Sequence, residues 1–246
     1  VKVLFVDIET APNLAHVWGL WQQNVAPSQL IESSYMMCFA AKWLGESRVM
    51  YYSEHHDGRE AMANAIHALL DEADVVVGYN SKRFDVPHIN TMLIDEGLLP
   101  PSPYKHVDLW RAVKARFLFP TNRMDYVCQK LGIPGKIKHG GHSLWVRCMA
   151  GDDKAWATMR RYNRQDVKMT EALYLKLLPW IPGHPNMGLY VEEDGMLCPK
   201  CGGDHLHRRG FATTSVGKFQ RFQCRFCGGW SRAGRRLEGV DLRSAD

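Results

Sequence analysis

The stretch VKVLFVDIET, residues 1–10, decides the fold. Val3 to Val6 form an apolar run that reads as a buried, central strand. Asp7 and Glu9 follow, two residues apart. On an extended chain residues i and i+2 point to the same side, so both carboxylates leave the strand together. Two acids at the end of a buried strand repel each other and are costly to desolvate unless a cation lies between them. A hard divalent ion such as magnesium or manganese suits such an all-oxygen site. The plainer alternative is a solvated strand end.

Working outward, the chain from Thr10 to Ser34 is irregular and carries Pro12, Pro27, Trp18 and Trp21. YMMCFAAKWL (35–44) and RVMYYS (48–53) read as strands joined through a turn at Gly45, an antiparallel meander. From Asp57 the pattern turns helical, with Asp57 or Gly58 as cap and Met62, Ile66, Leu69 and Leu70 on one face. DVVVGYN (74–80) is a short strand. DVPHINTMLIDEG (85–97) is a helix with Pro87 in its first turn and Gly97 at its end. HVDLW (106–110) reads as a strand. Residues 108–178 are mostly helical, broken near Lys136 to Ser143, and residues 159–178 form a long last helix. The sum is an α/β fold, a mixed sheet flanked by helices. PWIPGHPNMG (179–188) is rich in proline and glycine and reads as a linker. The expected organisation is therefore a large domain over residues 1–180, a linker over 181–195 and a small domain with a basic tail over 196–246.

Composition bounds the rest. The 246 residues are 46% hydrophobic and 23% charged, which excludes a disordered or fibrous chain. No apolar run reaches the roughly 18 residues of a membrane span. The first residues show no cleavable signal pattern, so a cytoplasmic (intracellular) protein with no membrane partner is expected. From Cys198 onward there are ten Lys and Arg against four Asp and Glu, whereas the preceding residues carry 21 against 22. A basic tail fits a polyanion such as nucleic acid, or a solvated charged face. Cys38, Cys128 and Cys148 stand singly among apolar residues and are assigned to the core.

Two further blocks carry chemistry. In GYNSKRFDVPHIN, Asn80 precedes Asp85 by five residues and Phe84 adjoins it. Asp85 can serve there as a ligand or as a helix N-cap. In RRYNRQDVKMTEAL, Tyr162 and Asp166 are i and i+4 on one helix face, a functional or a merely local surface pair. Taken together, DIET (7–10), NSKRFD (80–85) and YNRQD (162–166) resemble the three motifs of the DEDD superfamily of 3′–5′ exonucleases. The resemblance covers roughly residues 1–180. Tyr162 places it in the tyrosine branch, since the histidine branch carries its histidine where this chain has Arg161. The resemblance implies an RNase H-like fold and two-metal hydrolysis of phosphodiester bonds. It implies that Asp7 bridges two Mg2+ or Mn2+ ions, that Glu9 and Asp166 hold the water-activating one, and that Asp85 supports the second. Tyr162 would aim the water; a tyrosine hydroxyl ordinarily titrates near 10, which suits positioning better than proton removal. Thr10, Asn80 and Phe84 would touch the terminal nucleotides. The long segment after the first strand departs from a plain hairpin. Its Trp18 and Trp21 can stack on unpaired bases or pin the loop to the core, and pinning is the expectation.

The tail holds CPKCGG from Cys198 and CRFCGG from Cys224. Each Cys-x-x-Cys turn can place two sulfurs on one ion, so Cys198, Cys201, Cys224 and Cys227 read as a closed site for one structural Zn2+. Disulfides fit an intracellular chain poorly. His205 and His207 are not needed as ligands. The segment resembles zinc ribbons of DNA-binding proteins. Lys218, Arg221 and Arg225 are the expected phosphate contacts, interleaved with aromatics of which some must form the ribbon's own core. His55, His56, His106, His139 and His142 show no metal-ligand spacing tied to a second partner.

The expected function is a metal-dependent 3′–5′ exonuclease acting on single-stranded nucleic acid, DNA in preference, and releasing nucleoside 5′-monophosphates. The expected partner is a DNA 3′ end, with a DNA polymerase in trans as a further candidate. Three alternatives stay open: an exoribonuclease, a structure-specific endonuclease, and a catalytically silent recruiter.

Overall fold

The computed structural model describes residues 1–135, 137, 140–192 and 195–243. His139 and part of the expected helix break lie outside the described residues. Two compact units are present, Lys2–Leu173 and Tyr174–Asp246 together with Val1.

The first unit is built on five strands: β1 (Val3–Thr10), β4 (Met36–Trp43), β5 (Met50–Ser53), β6 (Val75–Gly78) and β7 (Lys105–Asp108). Their spatial order is β5-β4-β1-β6-β7. β4 and β5 form the antiparallel meander, while β6 and β7 run parallel to β1. β1 is thus interior, as its apolar run demands. β2 (Leu14–Ala15) and β3 (Leu30–Glu32) pair as a short separate hairpin inside the segment read as irregular.

Alternation along β1 sorts the two faces. Leu4, Val6 and Ile8 pack with Met62, Ile66 and Leu70 of α2 (Arg59–Glu72) and Ile89, Met92 and Leu93 of α3 (Asp85–Asp95). A second cluster joins Met37 and Cys38 of β4 to Leu144 and Cys148 of α6 (His142–Met149) and to Trp156, Met159 and Tyr162 of α7 (Asp153–Leu177). Among the described residues the other α-helices are α1 (Glu54–Asp57), α4 (Leu109–Arg116) and α5 (Met124–Lys130).

Two element boundaries and one loop differ from the sequence reading for identifiable reasons, and a polar side chain explains both boundaries. The strand read over HVDLW stops at Asp108, whose carboxylate accepts from the Trp110 N–H at 3.0 Å and starts α4. The last helix begins at Asp153 rather than 159, because Asp152 accepts from the N–H groups of Lys154 and Ala155 at 2.9 and 3.1 Å. The third difference is the loop after β1. Trp18 and Trp21 are 97% and 84% exposed, so neither pins the loop to the core. Loop closure is carried instead by the β2–β3 pairing and by Asn13, which accepts from the Ser34 N–H at 2.7 Å.

In the second unit, β8 (Leu206–Thr214), β9 (Gly217–Cys224) and β10 (Trp230–Gly239) form an antiparallel sheet in the order β10-β9-β8. Phe219 and Phe222 of β9 are buried. Among the described residues no helix is long and apolar enough to cross a membrane.

Candidate functional site

The end of β1 is open on one flank. β6 pairs with β1 only across Val3 to Phe5, whereas β4 follows it to the end, with Asp7 opposite Ala40 and Glu9 opposite Cys38. Beyond β6 the chain turns sharply into α3. Gly78 makes that turn possible, since a Cβ there would lie 2.4 Å from Ser81 Oγ. Asn80 takes the left-handed conformation (φ 60°), which asparagine tolerates better than most residues, and its N–H donates to Asp108 at 2.9 Å.

The turn delivers Asp85 to β1. Its Oδ1 accepts from the Ile8 N–H, between Asp7 and Glu9, at 3.2 Å. The N-cap position of α3 belongs to Phe84, and Asp85, the first residue of the helix, reaches β1 with its carboxylate. Burial pushes the Asp85 carboxyl up to about 7, against the opposing Ile8 N–H, with the Asp108 charge adding to the rise.

Helix α7 supplies the rest. Tyr162 and Asp166 lie one turn apart and are only 7% and 2% exposed, so they are not a surface pair. Oxygens of Asp7, Glu9 and Asp166 lie within 4.8 Å of one another. The Trp145 ring meets the Tyr162 ring edge-on, with centroids 6.0 Å apart. Lys42 of β4 and Glu171 of α7 form a largely buried ion pair at 2.5 Å, and Glu171 also accepts from the Gly45 N–H at 3.1 Å. These contacts fix the helix against the sheet. Thr10 is half-buried at the end of β1, beside a register shift after Glu9, and Phe84 is exposed with its ring 4.8 Å from that of His88, centroid to centroid.

Two residues escaped the sequence reading. Asn163 is fully buried, and its Nδ2 donates to Asp7 Oδ2 at 2.7 Å and to the Asp7 carbonyl at 3.1 Å. Nothing in the sequence separates it from its polar neighbours on α7. Asp108 gathers the N–H groups of Asn80, Lys82 and Trp110 at 2.9 to 3.3 Å. An acid at the carboxyl end of a parallel strand, where α/β sheets place their sites, was the available signal.

In the other unit Cys198, Cys201, Cys224 and Cys227 converge, with Sγ separations of 3.7 Å (Cys198–Cys227) and 3.6 Å (Cys201–Cys224) and no disulfide. The doubled CxxCGG builds the same turn twice. Gly202 N–H donates to Cys198 O at 2.8 Å and Gly228 N–H to Cys224 O at 3.0 Å, each glycine at φ 76°. Lys200 and Gly229 aim N–H groups at Cys198 and Cys227 sulfurs, both at 3.4 Å. Burial and the neighbouring thiols push Cys201 up to about 11 and raise Cys227 further. His205 and His207 stand outside the four-sulfur group. On the adjoining sheet Lys218 lies over the Phe211 ring and Arg221 over Trp230, at 4.5 and 4.9 Å, while Arg225 is exposed.

Comparison with known proteins adds the family. No curated protein matches the sequence. Among solved structures, the family B DNA polymerase of the hyperthermophilic archaeon Pyrobaculum calidifontis is similar over 72% of this chain, at 22% identity and a TM-score of 0.55. RNase D of Trypanosoma brucei is similar over 74% of the chain, at 14% identity and a TM-score of 0.45. The chain spans 24% of the polymerase and 57% of the RNase D. The RNase H superfamily model matches residues 4–178, which takes in the β5-β4-β1-β6-β7 sheet and the acids of β1, α3 and α7, and the chain belongs to that superfamily.

Proposed function

We propose that the protein is a metal-dependent 3′–5′ exonuclease that shortens single-stranded nucleic acid, DNA in preference, and releases nucleoside 5′-monophosphates. The observation that carries the reading is the convergence of Asp7, Glu9 and Asp166 oxygens within 4.8 Å, with Asp85 bonded to the same strand end and buried Tyr162 one turn from Asp166. The donor set fits a hard cation. Three carboxylates this close repel one another, and a fourth is so desolvated that it holds its proton toward neutrality. Asp7, Glu9, Asp85 and Asp166 would hold Mg2+ or Mn2+. When bound, such ions polarise the phosphate and acidify water.

The chain's own groups do the positioning. Asn163 orients the Asp7 carboxylate through its amide. Tyr162 offers a hydroxyl to the attacking water, and its ring is held by Trp145. Thr10, Asn80 and Phe84 would meet the terminal nucleotides. The exposed rings of Trp18 and Trp21 fit stacking on unpaired bases upstream.

Residues 1–180 would be the exonuclease domain, 181–195 a linker and 196–246 a zinc ribbon that grips the strand. The sulfur-only donor set fits one Zn2+, which would supply much of the folding energy of so small a domain. Lys218, Arg221 and Arg225 would contact phosphates there and raise the local concentration of the 3′ end.

The test uses strands labelled at the 5′ end, to follow shortening, and a second set labelled in the 3′-terminal nucleotide, to follow release: single-stranded DNA, duplex DNA and RNA, each with Mg2+ or Mn2+ and with EDTA. A ladder shortened from the 3′ end, with mononucleotide release that EDTA abolishes, is expected. Asp7→Asn and Asp166→Asn should lose it while still folding. Internal cuts would favour the endonuclease, preferred digestion of RNA the exoribonuclease, and binding without cleavage the recruiter.

A further inference from the structure

His55 and His56 lack a partner in sequence, yet the fold gives them one in Asp153, far downstream in the chain. Donor atoms of His55, His56 and Asp153 lie within 4.8 Å of one another, all three in the unit Lys2–Leu173, and the group shares no residue with the acids of β1 or with the four cysteines. His55 Nε2 is already 3.3 Å from Asp153 Oδ1. We propose that His55, His56 and Asp153 form a separate site for a divalent transition ion of the zinc class.

The rings are held in place before any ion arrives. His55 stacks on Trp156 with centroids 5.2 Å apart and planes within 7°. Trp156 is itself buried and anchored by its indole N–H, which donates to the Cys148 carbonyl at 2.9 Å. His56 lies edge-on to both rings. Its Nδ1 is engaged by Ser53 Oγ at 2.9 Å, so Nε2 would be the nitrogen that takes the ion. A metal-bound histidine ordinarily donates its other ring N–H to a carboxylate, a carbonyl or water, and here the Ser53 hydroxyl stands in that place. Asp153 sits in the first turn of α7 and supplies the anionic donor.

The donor chemistry selects the ion. Two imidazoles with one carboxylate suit zinc, nickel or copper, whereas magnesium and calcium want oxygen. His56 and Asp153 also line a cavity of about 660 Å3 together with Lys154, Arg160 and Arg161. Those three cations disfavour a purely electrostatic ion, so affinity rests on the imidazole bonds. The cavity leaves room for water at the remaining coordination positions. Binding would clip α1 to the start of α7.

The test measures zinc uptake by the full chain in excess magnesium, which occupies carboxylate sites but competes poorly for imidazole. Calorimetric titration with zinc chloride compares wild type with His56→Ala, Asp153→Asn and Ser53→Ala, so that the four cysteines contribute equally to every sample. Wild type should bind one equivalent more than the first two variants, or bind that equivalent at least about tenfold more tightly, with Ser53→Ala weakened about tenfold. Asp153 is exposed, and its isosteric variant should melt with wild type in the absence of zinc. Equal stoichiometry and affinity in wild type and Asp153→Asn would overturn the site, as would wild-type uptake confined to what a Cys198→Ser/Cys224→Ser variant loses.

Discussion

Asp85 is the residue whose environment asks most of the chain. A buried carboxyl that titrates near 7 keeps a proton which the unfolded chain gives up in the ordinary carboxylate range. Its contribution to stability is therefore fully present below about pH 4 and lost as pH rises through about 7. In EDTA, wild type should lose on the order of 4 kcal/mol relative to Asp85→Asn between those limits. Paired melts across the range measure it. Half-buried His106 and His184, which desolvation holds below their ordinary range, bias the pH profile in the opposite sense but cancel in the comparison. Magnesium should reverse the trend, because it requires the ionised carboxylate. A wild-type curve parallel to that of Asp85→Asn would mean the acid is ionised throughout. Asn163 makes the complementary case. Asn163→Ala removes the amide that aims Asp7, and loss of such an outer partner costs about 10- to 100-fold in metal affinity. The magnesium concentration for half-maximal cleavage should rise by that range while the rate at saturating magnesium falls less. An unchanged magnesium requirement would reduce Asn163 to packing. The nearness of Asp7 to Glu9 was legible because a two-residue spacing on a strand puts both on one face, and that of Tyr162 to Asp166 because a four-residue spacing on a helix does the same. Asn163 was not, because its role comes from a hydrogen bond to a residue 156 positions away.

At the scale of elements, α7 matters most, since it carries Tyr162, Asn163 and Asp166 and must sit at one height on the sheet. The Lys42–Glu171 pair sets that height from the distal part of the helix. Glu171→Ala would strand a buried ammonium on β4, and breaking such a pair from one side costs about 3 kcal/mol. A fall of that size in chemical denaturation is expected, with a fall in cleavage that excess magnesium repairs only partly. Loss of activity with no loss of stability would show that Glu171 does not anchor the helix. The elements themselves were largely readable. Apolar runs marked β1, β4 and β6, and the spacing of Met62, Ile66, Leu69 and Leu70 marked α2. Errors fell where one polar side chain decided a boundary, as Asp108 and Asp152 do. The loop after β1 misled for a different reason. Tryptophan is usually drawn to a core, and only the fold reveals that Trp18 and Trp21 find none.

On the whole molecule, charge and metal chemistry separate along the chain. The basic excess and the four cysteines lie after residue 197, and the carboxylate cluster lies in the unit Lys2–Leu173. Composition made that division visible early: the proline-rich run at 179–188 breaks helical periodicity, and the doubled CxxCGG announces its own turns. The boundary between the compact units falls instead inside α7, between Leu173 and Tyr174, where no sequence marker exists. If the second unit grips phosphates while the first cuts, binding and cleavage should come apart under substitution. Lys218→Gln, Arg221→Gln and Arg225→Gln together remove three cations from β9 and the Cys224 turn without touching the sulfurs or the buried Phe219 and Phe222. Each phosphate that a cation neutralises on a single strand contributes about 0.7 to the slope of log affinity against log salt, so the triple variant should flatten that slope by about 2. Cleavage of a strand too short to reach both units should keep its wild-type rate. Affinity measured by fluorescence anisotropy across a salt series gives the slope, and single-turnover digestion gives the rate. An unaltered slope would move nucleic-acid binding away from the cysteine-bearing unit. A slope that flattens together with a slower short-strand rate would mean these three cations serve the cutting site itself.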